Sequence, residues 1–306
     1  MLLNFINKAR FQKYIIFFLL IMDTVAMGLM VSIGGAAIAG MSLGSGDREK
    51  CNQIFRQTIA VTACISIFLS YILFFCFSPM LAILHVDERV ITHFREYYQI
   101  MLLELPVMVV NSSFGMFIRG EGSPRYYMKV SILSVVLNIL LDYLLAGCFH
   151  RGAAGIAAAS LLSELVCLLC ILYYFWKKAH IYHLGKFHFS REACVQAILN
   201  GNSEFIGEIS TGITMFAYNF VIMRRIGVDG VTAFTIVGYT AYAFNMIIVG
   251  FGQGASPLIS FCYGAGDGRG DTGGDGGMLV PGIALESVIS ATVQVNFFQK
   301  CFCKPG

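Results

Sequence analysis

Along the chain, long apolar runs alternate with short polar breaks. Seven runs stand out, at about residues 13 to 43, 57 to 78, 96 to 118, 126 to 147, 153 to 176, 203 to 223 and 231 to 262. Each is close to or above the roughly 20 residues with which a helix crosses the hydrocarbon core of a bilayer. Their apolar residues occupy every side of a helical projection instead of alternating in units of about ten residues, so the pattern predicts helices and speaks against a β-barrel. The expected fold class is an all-α polytopic membrane protein. The first and last runs exceed one span, which tilt, a kink or an interfacial extension must absorb. The first run is too long for a cleaved signal peptide and leads straight into a polar loop and another span.

Composition agrees with the pattern. Hydrophobic residues make up 57% and charged residues 13% of the 306, and mean hydropathy is +0.72, where soluble domains carry about 25% charge. The net charge of +3 is scattered among loops, with no basic face for a nucleic-acid partner. The ten cysteines sit singly or, like Cys167 and Cys170, without a nearby His or second pair. They read as buried thiols, with no metal site expected. His180, His183 and His188 share one basic loop.

The polar breaks repeat. "LGSGDREK" at 43–50 and "YGAGDGRG" at 263–270 each close a glycine-dotted run, and an offset of 220 carries Gly34 onto Gly254, Gly44 onto Gly264, Gly46 onto Gly266 and Asp47 onto Asp267. Six spans separate one copy from the next, so both copies have the same orientation, as in transporters whose halves are related by an axis along the membrane normal. Lys and Arg are concentrated on the side of these breaks, at Arg48, Lys50, Arg119, Arg125, Lys177 and Lys178 among others. Both breaks are therefore expected to be cytoplasmic. The same offset asks for a span before residue 1 and for further spans beyond residue 306, so the chain is expected to be incomplete at both ends. Three regions follow: 1–190, a first bundle lacking one helix; 191–263, the first two helices of a second bundle; and 264–306, an atypical glycine-rich tail with the composition of a reading-frame slip.

Candidate chemistry lies with polar groups inside the spans, where charge is costly. The fourth span carries Ser131, Ser134, Asn138 and Asp142 on one helical face, and the fifth carries Ser160 and Glu164 one turn apart. Counted at about 1.5 Å per residue from the shared outer end, Asp142 and Ser160 lie roughly 8 to 10 Å deep, and Asn138 and Glu164 roughly 14 to 16 Å. A carboxylate, an amide oxygen and a hydroxyl suit a hard cation such as Na+, and the carboxylates can carry a proton instead. Glu204, beside Asn202 and Ser203, is expected in the first turn of the sixth helix as a capping acid, and Glu208 lies one turn deeper. Asp23 lacks a clear partner, and Glu104 precedes Pro106, where a helix has freed carbonyls.

The run "RGEGSPRYYMKVSILSVVLNILLDYLLAG" with "RGAAGIAAASLLSE", the "GLM" and "GG" of the first span before "LGSGDREK", and "GFGQGASPLISFCYGAGD" together resemble the multidrug and toxic compound extrusion (MATE) family. The resemblance spans about residues 20 to 268 and implies helices two to eight of a twelve-helix transporter. It implies that Asn138, Asp142 and Ser160 fall on the cation or proton site of the first bundle. Ser160 stands where many members have threonine and Glu164 where glutamine is frequent.

The resulting expectation is a monomeric, multi-pass plasma-membrane antiporter, coupled to H+ or Na+ and free of other cofactors. It would export amphipathic cationic compounds by alternating access through Asp142, Asn138, Ser160 and Glu164, with Glu204 and Glu208 as second-bundle candidates. The abundance of Phe, Tyr and Met suits a chamber for flat cations. A lipid-linked oligosaccharide flippase of related architecture and an inactive transporter fragment are the alternative readings. A membrane enzyme is disfavoured, because no HExxH, paired-His or Ser/His/Asp set stands at a membrane face.

Overall fold

The computed structural model describes residues 25–84, 88–186, 188–225 and 228–266. They form seven long helices: α1 (Val25–Gly44), α2 (Arg48–Leu84), α3 (Glu88–Gly120), α4 (Pro124–Asp142), α5 (Gly152–Lys177), α6 (Arg191–Arg225) and α7 (Val228–Gly264). No strand occurs among the described residues. Six of these helices contain a stretch long and apolar enough to cross a membrane: Val25–Gly44, Arg48–Phe77, Arg95–Gly120, Pro124–Cys148, Gly152–Lys177 and Arg191–Ile222. The seventh expected run, 231 to 262, lies wholly on α7. The chain is a multi-pass helical membrane protein. Its outer surface shows the lipid-facing logic directly, with Leu133, Val136, Ile139 and Leu140 of α4 all exposed while Val130 and Ser134 on the opposite face are buried.

Helices α2, α3, α4 and α5 pack as one bundle, with α3 against α2, α4 and α5. One end of the bundle is filled by aromatic rings. Phe55 of α2 stacks on Phe175 of α5 at 5.1 Å, meets Phe117 of α3 edge-on at 4.9 Å, and touches Tyr182 beyond α5 at 5.1 Å. This aromatic cluster is core rather than chamber. The cysteines divide differently from the expectation of buried thiols: Cys51 and Cys167 are buried, whereas Cys64, Cys76, Cys148 and Cys262 are exposed on the outer surface.

Between α5 and α6 the chain is strapped to this bundle by polar bonds. Glu121 accepts from the backbone N–H groups of His180 and Ile181 and from the Tyr174 hydroxyl. Asn52 donates to the Ile181 carbonyl and accepts from His183 N–H, Arg56 donates to the carbonyls of His183 and Lys186, and Gln57 exchanges a pair of bonds with the backbone of Ser190. The histidine loop is therefore ordered by its backbone, with His180, His183 and His188 exposed.

Helix α1 stands between the bundle and the α6–α7 pair, and glycines let it do so. A Cβ on Gly35 would meet the Thr58 side chain of α2, and one on Gly28 would meet Val109 of α3. On the other side, Gly34 lies against the Ala197 carbonyl of α6, and Gly201 of α6 against the Met30 carbonyl of α1. Such small-residue contacts bring backbones together where lipid offers no hydrophobic drive for helix association.

The 220-residue repeat becomes a geometric symmetry where α1 meets α7. Gly44 lies on the Phe261 carbonyl and Gly264 on the Met41 carbonyl, and the offset that carries Gly44 to Gly264 also carries Met41 to Phe261. Gly40 faces Ser260, its own counterpart, so the axis passes between these two residues. The turns match as well. Ser45 and Ala265 donate to the carbonyls of Met41 and Phe261, and Gly46 and Gly266 adopt φ of +85° and +73°, values at which a Cβ is strained. The register also carries Gly34 to Gly254. There the likeness stops, because Gly254 faces open space. Residues 1–24, which include Asp23, and the tail from 267 onward lie outside the described residues.

Candidate cation site and inter-half cleft

Helix α4 begins at Pro124, whose missing N–H costs nothing at a first-turn position. Its face of Ser131, Ser134, Asn138 and Asp142 turns away from lipid, with Ser134 buried and the other three half-buried. After Asp142 the chain passes into a π-helical turn, Tyr143–Cys148, before the short link to α5. A π turn carries more residues per turn than an α turn, so it advances less per residue. That draws Asn138 toward the outer end, and its Nδ2 donates to Ser160 Oγ at 3.2 Å. The uniform 1.5 Å rise had put Asp142 level with Ser160. One turn outward from Asn138, Asp142 Oδ1 is buried with no hydrogen-bond partner, a state that costs about 1–3 kcal/mol. Asn138 and Ser160 thus form one pair, and Asp142, with an unspent carboxylate oxygen, stands one turn along α4 on the same face.

Glu164 goes elsewhere. Its Oε2 accepts from Asn111 Nδ2 of α3 at 2.6 Å, and the same amide donates to the Glu164 backbone carbonyl at 2.9 Å. Sequence reasoning passed over Asn111. Its signal was present in "VVNSSFG", an amide and two hydroxyls in mid-span, but no periodicity linked it to a partner. Glu104 lies two turns earlier on α3, which continues as helix through Pro106. Glu204 is not in a first turn, because α6 starts at Arg191. The polar stretch "REACVQAILNG" had placed that start outside the apolar run, yet it folds as the first turns of the helix, with Glu192 as the acid of the first turn. Glu208 is exposed on α6.

Glu204 instead lines a cleft between the halves of about 660 Å³ including its open mouth, walled by α1, α3, α6 and α7. Arg119 and Gln253 join it there, among apolar and small residues such as Ile33, Met116 and Pro257. The Arg119 guanidinium lies over the Tyr127 ring at 5.0 Å, and its Nε is buried without a partner. Among the described residues, no group of three or more His, Cys, Asp or Glu is arranged to hold a metal ion.

The MatE family profile matches residues 14–144. The Multidrug export protein MepA of Staphylococcus saprophyticus is 23% identical over 241 residues, covering 78% of this chain and 53% of that protein. MepA of Staphylococcus aureus is 24% identical over 249 residues, covering 80% and 54%. The solved outward-facing conformation of a multidrug resistance MATE family transporter superposes with a TM-score of 0.75 at 21% identity, covering 94% of this chain and 63% of that one. The chain is thus similar to MATE transporters in sequence over its first half and in fold along most of its length. It spans about half the length of the curated MATE relatives that it matches. Those relatives are named as exporters, not enzymes. At this level of identity the likeness is one of fold: the helices of the described residues are arranged as in the solved transporter.

Proposed function

We propose that these helices belong to a cation-coupled exporter in which Asp142, supported by Asn138 and Ser160, takes up H+ or Na+. The observation that carries this reading is the buried Asp142 Oδ1 with no partner beside an Asn138–Ser160 pair. An unpaired carboxylate oxygen at membrane depth demands positive charge, and the two neighbours supply further oxygens for it. Export is supported by the names of the relatives, multidrug export proteins, and an amphipathic cationic cargo by the cleft that sets Glu204 among apolar residues. Alternating access would then be a rocking of the two halves about the α1–α7 seam. Occupation of Asp142 would bias the α4–α5 pair and so tilt the equilibrium between conformations. In this reading a single chain works as a monomer, with its GSGD and GAGD turns toward the cytoplasm.

The test is ion-driven dye efflux from proteoliposomes carrying the full chain, with an imposed H+ or Na+ gradient and a fluorescent lipophilic cation. Efflux that follows one gradient and is lost in Asp142→Asn is the expected result. Efflux unchanged by Asp142→Asn removes Asp142 from the mechanism, and a wild-type chain that responds to neither gradient overturns coupling for this chain.

A further inference from the structure

A second polar contact joins α3 and α5 at Asn111 and Glu164, one turn along α5 from Ser160. Asn111 is 3% exposed, and both amide hydrogens are spent on Glu164, one on Oε2 and one on the backbone carbonyl. Its Oδ1 is buried and accepts nothing. Flipping the amide to satisfy that oxygen would break both donor bonds, so the vacant acceptor is built into the arrangement. Glu104 stands two helical turns from Asn111 on the same face of α3, and its carboxylate and that of Glu164 lie within electrostatic reach of each other. Tyr127 of α4 and Cys167, one turn along α5, also feel Glu164. Their unperturbed values leave both uncharged near neutrality. None of these groups supplies the positive charge that two neighbouring carboxylates in a low dielectric require.

We propose that Glu104, Asn111 and Glu164 form a cation-binding centre of their own, holding one small monovalent cation, H+ or Na+, separately from Asp142. As a proton, the charge resides on one carboxyl, whose O–H donates to Asn111 Oδ1 or to the other carboxylate. As Na+, it takes carboxylate oxygens and Oδ1 as ligands, a hard-oxygen set suited to that ion. Asn111 serves both states, because its Nδ2 holds Glu164 in place while its Oδ1 faces the incoming charge. This centre goes beyond the coupling role proposed for Asp142 and stands whether or not that role holds.

Infrared difference spectroscopy of the purified full chain in detergent micelles tests it with two arms. Acidification without Na+ reads the carboxylic C=O stretch, and Na+ against K+ at fixed alkaline pH reads the carboxylate stretches. A signal in the acid arm identifies the proton, and one in the sodium arm identifies Na+. The expected result is a signal in one arm that is lost in Glu164→Gln and is reduced at least twofold or displaced in Glu104→Gln and Asn111→Leu. The component missing from Glu164→Gln persists in Asp142→Asn, which separates this centre from the α4 site. A Glu164→Gln spectrum equal to wild type in both arms overturns the proposal. So does a Glu164 signal untouched by Glu104→Gln, the isosteric change that decides the matter if Asn111→Leu does not fold.

Discussion

The α1–α7 seam makes a prediction whose sign depends on position along one helix. Gly264 of α7 lies on the Met41 carbonyl, and a methyl group added there meets backbone, which no rotamer change can move aside. The helices must separate instead, at the roughly 1–3 kcal/mol typical of overpacking, or about 5- to 150-fold in the equilibrium between seated and separated α7. Gly254 is on the same helix ten residues earlier, and a methyl group there meets nothing within 4 Å. Only the helix-propensity term acts at that position, and it favours alanine by about 0.8–1.0 kcal/mol, some four- to fivefold in the opposite direction. Hydrogen–deuterium exchange of the purified chain, read on peptides covering 255–266, should therefore accelerate in Gly264→Ala and slow slightly in Gly254→Ala. Gly44→Ala should match Gly264→Ala, because it places a methyl group on the Phe261 carbonyl, the symmetric contact. The double variant should cost less than the sum, since separation forced by one methyl makes room for the other. Exchange in Gly264→Ala no faster than in wild type would refute the seam as a backbone contact.

Two further outcomes concern the strap between α5 and α6. Glu121→Ala removes one acceptor from three donors, the Tyr174 hydroxyl and the N–H groups of His180 and Ile181. At about 1–3 kcal/mol for each group left buried and unpaired, limited proteolysis in the 179–186 segment should speed up at least fivefold, with little change at α4. Burial pushes the Tyr182 phenol well above its ordinary value. The folded chain therefore keeps that proton where the unfolded chain has released it, and the associated stability is complete below a pH of about 10 and falls as pH rises beyond it. Thermal melts between pH 8 and 11 should show this alkaline loss in wild type, and Tyr182→Phe should flatten it.

Much of the architecture was legible because a bilayer makes sequence unusually explicit: backbone groups must be satisfied within each span, so a long apolar run has one conformation open to it. The helices of the described residues follow from that, as does the inward face of α4, where polar steps of three and four residues can point only one way. The 220-residue offset was equally readable, while the positive φ that its matched glycines Gly46 and Gly266 share came from the structure. The start of α6 was not, because "REACVQAILNG" is too polar for a span yet is a sound amphipathic opening to a helix.

The sequence by itself therefore determined the helices, their count to within the described residues, the repeat and the polar residues available for chemistry. Which of those residues meet was decided by the tertiary structure. Apolar surfaces of neighbouring helices are nearly interchangeable in lipid, so rotation and depth are set by small-residue contacts and by particular polar pairs. The π turn at Tyr143–Cys148 slid Asn138 onto Ser160 and left Asp142 Oδ1 unpaired. The close packing of α5 on α3 gave Glu164 to Asn111. Gly40 facing Ser260, with Gly44 on the Phe261 carbonyl and Gly264 on that of Met41, turned a numerical offset into an axis between two halves, because the glycines let the two backbones close there.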